Sequence, residues 1–422
     1  MEKNKRKRHG LTEEELIDID YSFSYSTEFY GQIKRKNLFQ IVMFLLNQLI
    51  RQSINDLLFI KRYKSIKNKY VLFYESTNQY NALLPLKKYI AGSEFLCIKG
   101  HIDNRLPQSI GILLSLFYLP HFLMVQKNSE RRELLLSGCY FLIEGMFNWW
   151  LFYLKITKPK AIIFANDHLI WQRTLRKVAQ FNNIPTIYLQ HASVSENFPR
   201  LEFDLALLEG NDSLNKYEKH VATRTYLIGM PKYDKYLADT NYRKEIQNIG
   251  ICTNILDNSN IIKNICYGLS NYYKNETVYL RPHPGDTRKE FHIGLCKEFN
   301  LVFSDSNKEN SFEYLKKIDL NIACDTSLHL EAVLMNVYPI YYNLNNNIYD
   351  SYGYLKNGLV QQSFNNLQDL TNFIDSIKNN KPNIRERAKY YVDTVDTPYD
   401  GKSTLKAVTI IEEFVTAYYS KI

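Results

Sequence analysis

The amino-acid sequence predicts an α/β protein made of two doubly wound, Rossmann-like layers, with a helical extension before the first and a closing helix after the second. Two observations carry that expectation. Short, nearly unbroken apolar runs recur along the chain and alternate with segments of helical periodicity, the pattern of parallel strands covered on both faces. The alternation also occurs twice, in series separated by a polar stretch, and 422 residues are many for a single domain.

Residues 1–65 form a basic extension that includes the apolar run "LFQIVMFLLNQLI". The first layer is expected over 66–235. Its strand-like runs are "YVLFYES", "EFLCIK", "AIIFAND", "IPTIYLQH" and "LALLEG", and its helical segments include "SERRELLLSGCYFLIEGMFNWWLFYLKITKPK" and "HLIWQRTLRKVAQFNN". "TYLIGMPKYDKYL" adds a strand and a Gly-Met-Pro turn, then becomes polar and reads as the connection between domains. The second layer, over 236–400, alternates "NIGICTN", "NIIKNICYGLSNYYK", "TVYLRPHP", "NLVFSD", "EYLKKI", "DLNIACDTS", "LHLEAVLMN" and "VYPIYYN". Helical periodicity returns in 401–422, so this segment is expected to close the structure.

Composition narrows the function classes. With 45% apolar residues the chain has the material for substantial cores, and disorder is not expected. The net charge of +9 fits a solubilising tail, an anionic substrate or an anionic membrane surface. Nucleic acid is not an expected partner, because no zinc-finger spacing or aromatic RNA-binding motif accompanies the charge. The six cysteines are scattered without a CxxC pair, which fits a reducing cytoplasm and indicates neither a zinc site nor a disulfide framework. An acidic run, "LTEEELIDID", stands where a secretion signal would need its apolar core. "LFQIVMFLLNQLI" and "IGILLSLFYLPHFLMV" are too short to span a bilayer; they read as buried helices or as a face resting on the inner surface of the cytoplasmic membrane.

Ligands of open parallel sheets sit beyond the carboxyl ends of the strands, so the polar residues after each run are the candidates. In the first layer these are Asn166, Asp167 and His168, then Gln190, His191, Ser193 and Ser195. In the second they are Thr253 and Asn254, Arg281 and His283, and Asp325, Thr326 and Ser327. The prolines on either side of His283 restrict the turn, and an Arg and a His at a strand exit can donate to a phosphate or carboxylate. Asp325, Thr326 and Ser327 open the helix "LHLEAVLM", whose N-terminal amides and dipole favour an anion, and Glu331 one turn later can accept from a ribose. A nucleotide phosphate satisfies both segments. Neither a P-loop nor a GxGxxG fingerprint follows a strand, so common ATPases, GTPases and NAD enzymes are disfavoured.

The succession "LQHAS", "LIGMPKYD", "LRPHPGD", "CDTSLHLEA" resembles bacterial GT-B glycosyltransferases of surface polysaccharide synthesis, over about residues 160–335. It is most similar to capsule Kdo transferases and bacterial sialyltransferases, which use CMP-sugars, and shares a layout with CDP-glycerol glycerophosphotransferases. The resemblance implies two domains facing a central cleft, a cytidine-nucleotide sugar donor in the second, and a glycan or lipid-linked glycan acceptor. It also implies His283, Thr326 and Ser327 on the phosphate and Glu331 near ribose or base. Gln190-His191-Ala192 stands where the Kdo transferases carry Gln-His-Gly, and the acidic sialyltransferase motif is absent. His191, with an ordinary pKa near neutrality, and Asp167 are the two candidates for the base of an inverting transfer, with the other as orienting partner. No DxD lies at a strand exit, so neither metal nor cofactor is expected. A polyol-phosphate transferase, a UDP-sugar 2-epimerase and a non-catalytic assembly scaffold are the alternatives.

Overall fold

The computed structural model describes residues 37–58, 64–98, 104–128, 140–194, 198–217, 224–345 and 348–421. The basic N-terminal stretch, Ser195 and the first part of the long helical segment, 129–139, lie outside these residues. Contacts divide the chain into two compact units: Met1–Glu209, Ser213–Lys232 and Thr404–Ile422 form the first, and Gly210–Asp212 with Tyr233–Ser403 the second.

The first unit contains α1 (Leu38–Leu58), β1 (Tyr70–Tyr74), α2 (Thr77–Tyr89), β2 (Ser93–Cys97), β3 (Asn104–Arg105), α3 (Ser109–Asn128) and α4 (Tyr140–Thr157). It continues through β4 (Ala161–Phe164), α5 (Ile170–Phe181), β5 (Thr186–Leu189), β6 (Leu205–Leu208), α6 (Asn211–Tyr217) and β7 (Arg224–Leu227). The strands form a parallel sheet in the order β3-β2-β1-β4-β5-β6-β7. Strand side chains alternate between two cores. Val71, Phe73, Ile162 and Phe164 meet α1, α3, α4 and α5 on one face, while Leu72, Ile163, Ile187 and Leu205 meet α2 and the C-terminal helix on the other. This alternation within continuously apolar runs is why the strands are legible without a period-two signal.

Helices α3 and α4 pack closely because Gly145 lacks a Cβ: one added there would lie 2.2 Å from the Ser115 amide. Across the same contact His121 Nδ1 pairs with the buried Glu144 carboxylate at 3.1 Å. The two apolar runs expected as buried helices are only partly so. Ile41 and Leu45 of α1 and Ile112, Leu119 and Phe122 of α3 are sealed in the core, whereas other apolar side chains of both helices face water. Among the described residues no helix is long and apolar enough to cross a membrane.

The second unit runs α7 (Asp234–Leu237), β8 (Asn248–Thr253), α8 (Ser259–Tyr272), β9 (Thr277–Pro282), α9 (Lys289–Glu298), β10 (Val302–Phe303) and α10 (Ser311–Leu315). After these come β11 (Leu320–Ala323), α11 (Leu328–Leu334), β12 (Tyr338–Tyr342), β13 (Ser363–Phe364) and α12 (Leu367–Ile377). Its parallel sheet has the order β10-β9-β8-β11-β12-β13. The segment read as a connection packs into this unit, with Tyr236 stacked on Phe312 at 4.3 Å. The last helix, α13 (Ser403–Tyr419), returns to the first unit and buries Ala407, Val408, Ile411 and Val415 there. All five cysteines among the described residues are free and buried.

Candidate functional site

In the second unit β8 lies between β9 and β11, so the exits of these three strands adjoin at the sheet spacing of about 4.8 Å. Hydrogen bonds carry the adjacency past the strand ends. The His283 amide donates to Thr253 O at 2.9 Å, and Asn254 Nδ2 donates to Asp325 O at 3.5 Å. His283 is exposed, and its Nδ1 accepts from the Gly285 amide at 3.0 Å, which leaves Nε2–H as the outward donor. The Pro-His-Pro-Gly turn thus fixes both the ring and its tautomer.

The second strand of support is Arg288, to which no function attaches in the sequence. Its guanidinium bonds Asp286 through Nε and Nη2, reaches Asp257 O and Ser259 Oγ through Nη1, and reaches Asn254 O through Nη2. It therefore ties the β8–α8 loop to the His283 turn. Asp257 belongs to this loop, accepting from the Asn254 amide and from Asn345 Nδ2. Burial pushes its carboxyl up to about 6, against those hydrogen bonds and the Arg288 charge.

The sign of that shift makes a prediction. A folded-state pKa above the unfolded one means that the native state holds the extra proton, so the Asp257 contribution is fullest below about 4 and is lost as pH rises through about 6. The stability of the native chain relative to Asp257→Asn is expected to fall by about 1–3 kcal/mol across this window. Denaturant midpoints measured from pH 4 to 7 would check it; parallel curves would contradict it.

Two residues expected at the ligand serve the frame instead. Arg281 is buried, with Nη1 on Ser304 Oγ at 2.8 Å, Nη2 on Glu309 O at 2.9 Å and its guanidinium over the Tyr314 ring. Thr253 is also buried, its Oγ1 3.2 Å from His292 Nε2. Strand alternation sends both side chains into the sheet's packing, which an exit position alone does not reveal.

At the β11 exit Asp325 Oδ2 accepts from the Ser351 amide, and Thr326 Oγ1 accepts from Leu328 N. Ser327 occupies the cap position in helical conformation, and its side chain makes no cap bond. Glu331 Oε1 accepts from Tyr233 Oη at 2.9 Å, while its Oε2 is buried without a partner. An unmatched buried acceptor costs about 1–3 kcal/mol, which a bound hydroxyl would recover.

The tips of β4 to β7 gather a second cluster, within the first unit. Asp167, 2% exposed, accepts from Tyr217 Oη at 2.7 Å, and its Oδ1 lies 3.0 Å from His168 Nδ1. Its imidazole partner is therefore the adjacent His168; its effect on His191 is through charge. Lys232, just after β7, donates to His191 O at 2.7 Å and lies 3.8 Å from Glu209. Glu209 is held by Gln190 Nε2 at 3.1 Å. Burial and then the Lys232 charge lower the His191 pKa to about 4, and its Nδ1 is buried with no partner. Its ring is neutral at pH 7, available to a proton but less basic than an exposed imidazole. The "GMPKYD" segment signalled a turn; only the sheet order brings its lysine beside His191.

No protein-family model matches the sequence, and no curated protein matches it. Solved structures share the fold. UDP-GlcNAc 2-epimerase from Neisseria meningitidis bound to UDP-GlcNAc is 11% identical with a TM-score of 0.54, covering 82% of this chain and 100% of that one. A Listeria monocytogenes protein described as a UDP-N-acetylglucosamine 2-epimerase is 10% identical with a TM-score of 0.52, covering 84% of this chain and 98% of that one. The chain shares with both the two-domain α/β fold that its pattern of strands and helices predicts.

Proposed function

We propose that the protein is a glycosyltransferase that moves a sugar from a cytidine-nucleotide donor, of the CMP-sialic acid or CMP-Kdo type, to a surface polysaccharide or lipid-linked glycan. The observation that carries this reading is His283. Its Nε2 is aimed outward by a turn whose geometry is set before any ligand arrives, beside the β8 and β11 exits, so little entropy is lost on gripping a phosphate. The Thr326 and Ser327 hydroxyls add donors, Asn254 lines the β8 exit, and the free Glu331 oxygen accepts from a ribose hydroxyl. Arg281, Thr253, Asp325 and Arg288 hold these groups in register.

The first unit supplies the acceptor-side chemistry. In an inverting displacement the acceptor oxygen bonds to the anomeric carbon as the bond from that carbon to the nucleotide phosphate oxygen breaks. The electron pair leaves on the phosphate, and His191 takes the acceptor's proton. Asp167 orients His168 and biases the local charge. In this reading the leaving phosphate is stabilised by protein donors, His283 first among them.

A second reading, a nucleotide-sugar 2-epimerase, is favoured by the fold of the two solved epimerases. Against it, Asp167 and Glu209, two of the carboxylates at the first unit's strand tips, are both buried and already bonded. Thermal melting with CMP, CDP and UDP, then mass spectrometry with CMP-sialic acid, CMP-Kdo, CDP-glycerol and UDP-GlcNAc, separates the readings. Stabilisation by cytidine nucleotides and donor consumption that requires an acceptor are expected. Acceptor-free isomerisation of UDP-GlcNAc would establish the epimerase, and indifference to every nucleotide would leave a scaffold.

A further inference from the structure

The segment that follows β12 carries Tyr349, Tyr352 and Tyr354 and is tied to the β11 exit. The Ser351 amide donates to Asp325 Oδ2 at 3.2 Å, and the Tyr349 amide to Tyr341 Oη at 3.1 Å. The two carboxylate oxygens of Asp350 accept from the Leu355 and Lys356 amides at 3.1 and 2.9 Å, while Tyr391 Oη donates to Gly353 O at 3.0 Å. Gly353 takes the positive φ, 69°, that this turn requires.

The rings in this loop are layered. Tyr354 is buried and meets the Tyr391 ring edge-on at 5.0 Å. Tyr352 lies flat on Tyr354, with centroids 5.1 Å apart and planes 13° from parallel. Among the described residues no second ring or cation is stacked on Tyr352, which is half-buried. Covering Tyr354 uses only one of its two faces. Burial and then the Asp325 charge raise the pKa of the Tyr352 hydroxyl above its ordinary value, which puts that hydroxyl near the carboxylate holding the loop.

The order of groups in a nucleotide sugar decides what meets this ring. Ribose and sugar leave the phosphate on opposite sides, so the flank that takes the ribose leaves the other to the sugar. Glu331 faces α10: its Oε1 accepts from Tyr233 Oη, and the Tyr233 ring lies 4.6 Å from Phe312. Through Tyr314, α10 reaches β8 at Cys252 and β9 at Arg281. Strand β12 lies on the opposite side of β11, so Tyr352 stands on the flank away from Glu331. The carbon-bound hydrogens on one face of a pyranose are apolar and weakly positive, and they suit the negative face of an aromatic ring.

We propose that Tyr352 is the platform on which the sugar ring of the donor stacks, and that it thereby helps to select the sugar. The inference rests on the nucleotide-sugar reading of this site. Calorimetric titration of the parent and of Tyr352→Ala with CMP, and with whichever of CMP-sialic acid and CMP-Kdo the parent binds more tightly, tests it. Affinity for the CMP-sugar is expected to fall about 10-fold, and affinity for CMP to stay within about twofold. Tyr352→Phe keeps the ring and should remain near the parent. Tyr352→Leu still covers Tyr354 but offers no aromatic face, so it should match the alanine variant. Equal losses for CMP and CMP-sugar overturn the proposal, because the ring would then serve the nucleoside or the frame; unchanged affinity for both overturns it too. UDP and UDP-GlcNAc are titrated in parallel. A parent that binds only these two removes the cytidine reading, and the same contrast between them then judges the ring. A parent that binds no nucleotide at all overturns both.

Discussion

His283→Ala is expected to weaken nucleotide binding by about 10- to 100-fold, the worth of one hydrogen bond to a charged phosphate, while leaving the ligand-free melting temperature nearly unchanged. Both halves follow from the same geometry. The side chain is exposed and its intramolecular bond is to the Gly285 amide in its own turn, so its loss removes little from the fold. Among the described residues its outward Nε2 has no protein acceptor to serve. Calorimetric titration with CMP checks the affinity, and His283→Gln, which restores an N–H donor on a chain of similar reach, should recover part of it. An affinity unaffected by alanine would remove the phosphate role.

His191→Ala is expected to cost about 100- to 10,000-fold in turnover, the usual contribution of a positioned general base, with nucleotide affinity preserved. The pH profile makes the assignment specific. A base must be unprotonated, and burial with the Lys232 charge holds this ring at about 4, so activity governed by it falls only as pH drops through that value. Lys232→Met removes the charge that disfavours the imidazolium, and the acid limb should move upward. A fully active His191→Ala enzyme would transfer the role to the Asp167–His168 pair, which is bonded at 3.0 Å and therefore its natural successor.

The parallel layers were legible because a buried strand of a parallel sheet must be apolar on both faces, and β1, β4, β5, β8 and β11 have no other way to be satisfied in this sequence. The short edge strands β3 and β13 escaped notice because Asn104-Arg105 and Ser363-Phe364 form no apolar run, whereas the equally short β10 lies within "NLVFSD". Helix α13 was legible as a helix, but its destination was not: the alternation of Ala407, Ile411 and Val415 specifies an apolar face and is silent on which sheet that face covers.

At the site, the chain order of motifs brought forward His191, His283, Thr326, Ser327 and Glu331 through a single rule, that ligands gather beyond strand exits. The same rule also nominated Arg281 and Thr253, whose side chains the fold buries against Ser304, Glu309 and His292. Residue type cannot distinguish an arginine that reaches out from one that braces a loop, because both need the same five donors. Arg288 illustrates the converse: it stands within a polar run without a motif, and becomes visible only when the β8 and β9 loops are adjacent.

What the sequence by itself determined is therefore local and periodic: which segments are strands or helices, that two α/β layers succeed one another, and which polar residues follow the strands. Direction and partnership belonged to the tertiary structure: Lys232 beside His191, Asp167 turned to His168, Glu331 with one oxygen unmatched, and the outer stripes of α1 and α3 left facing water. The reason is range. Hydrophobic periodicity acts over a few residues along the chain, whereas burial, hydrogen-bond pairing and the field at an imidazole depend on groups that only sheet order makes neighbours.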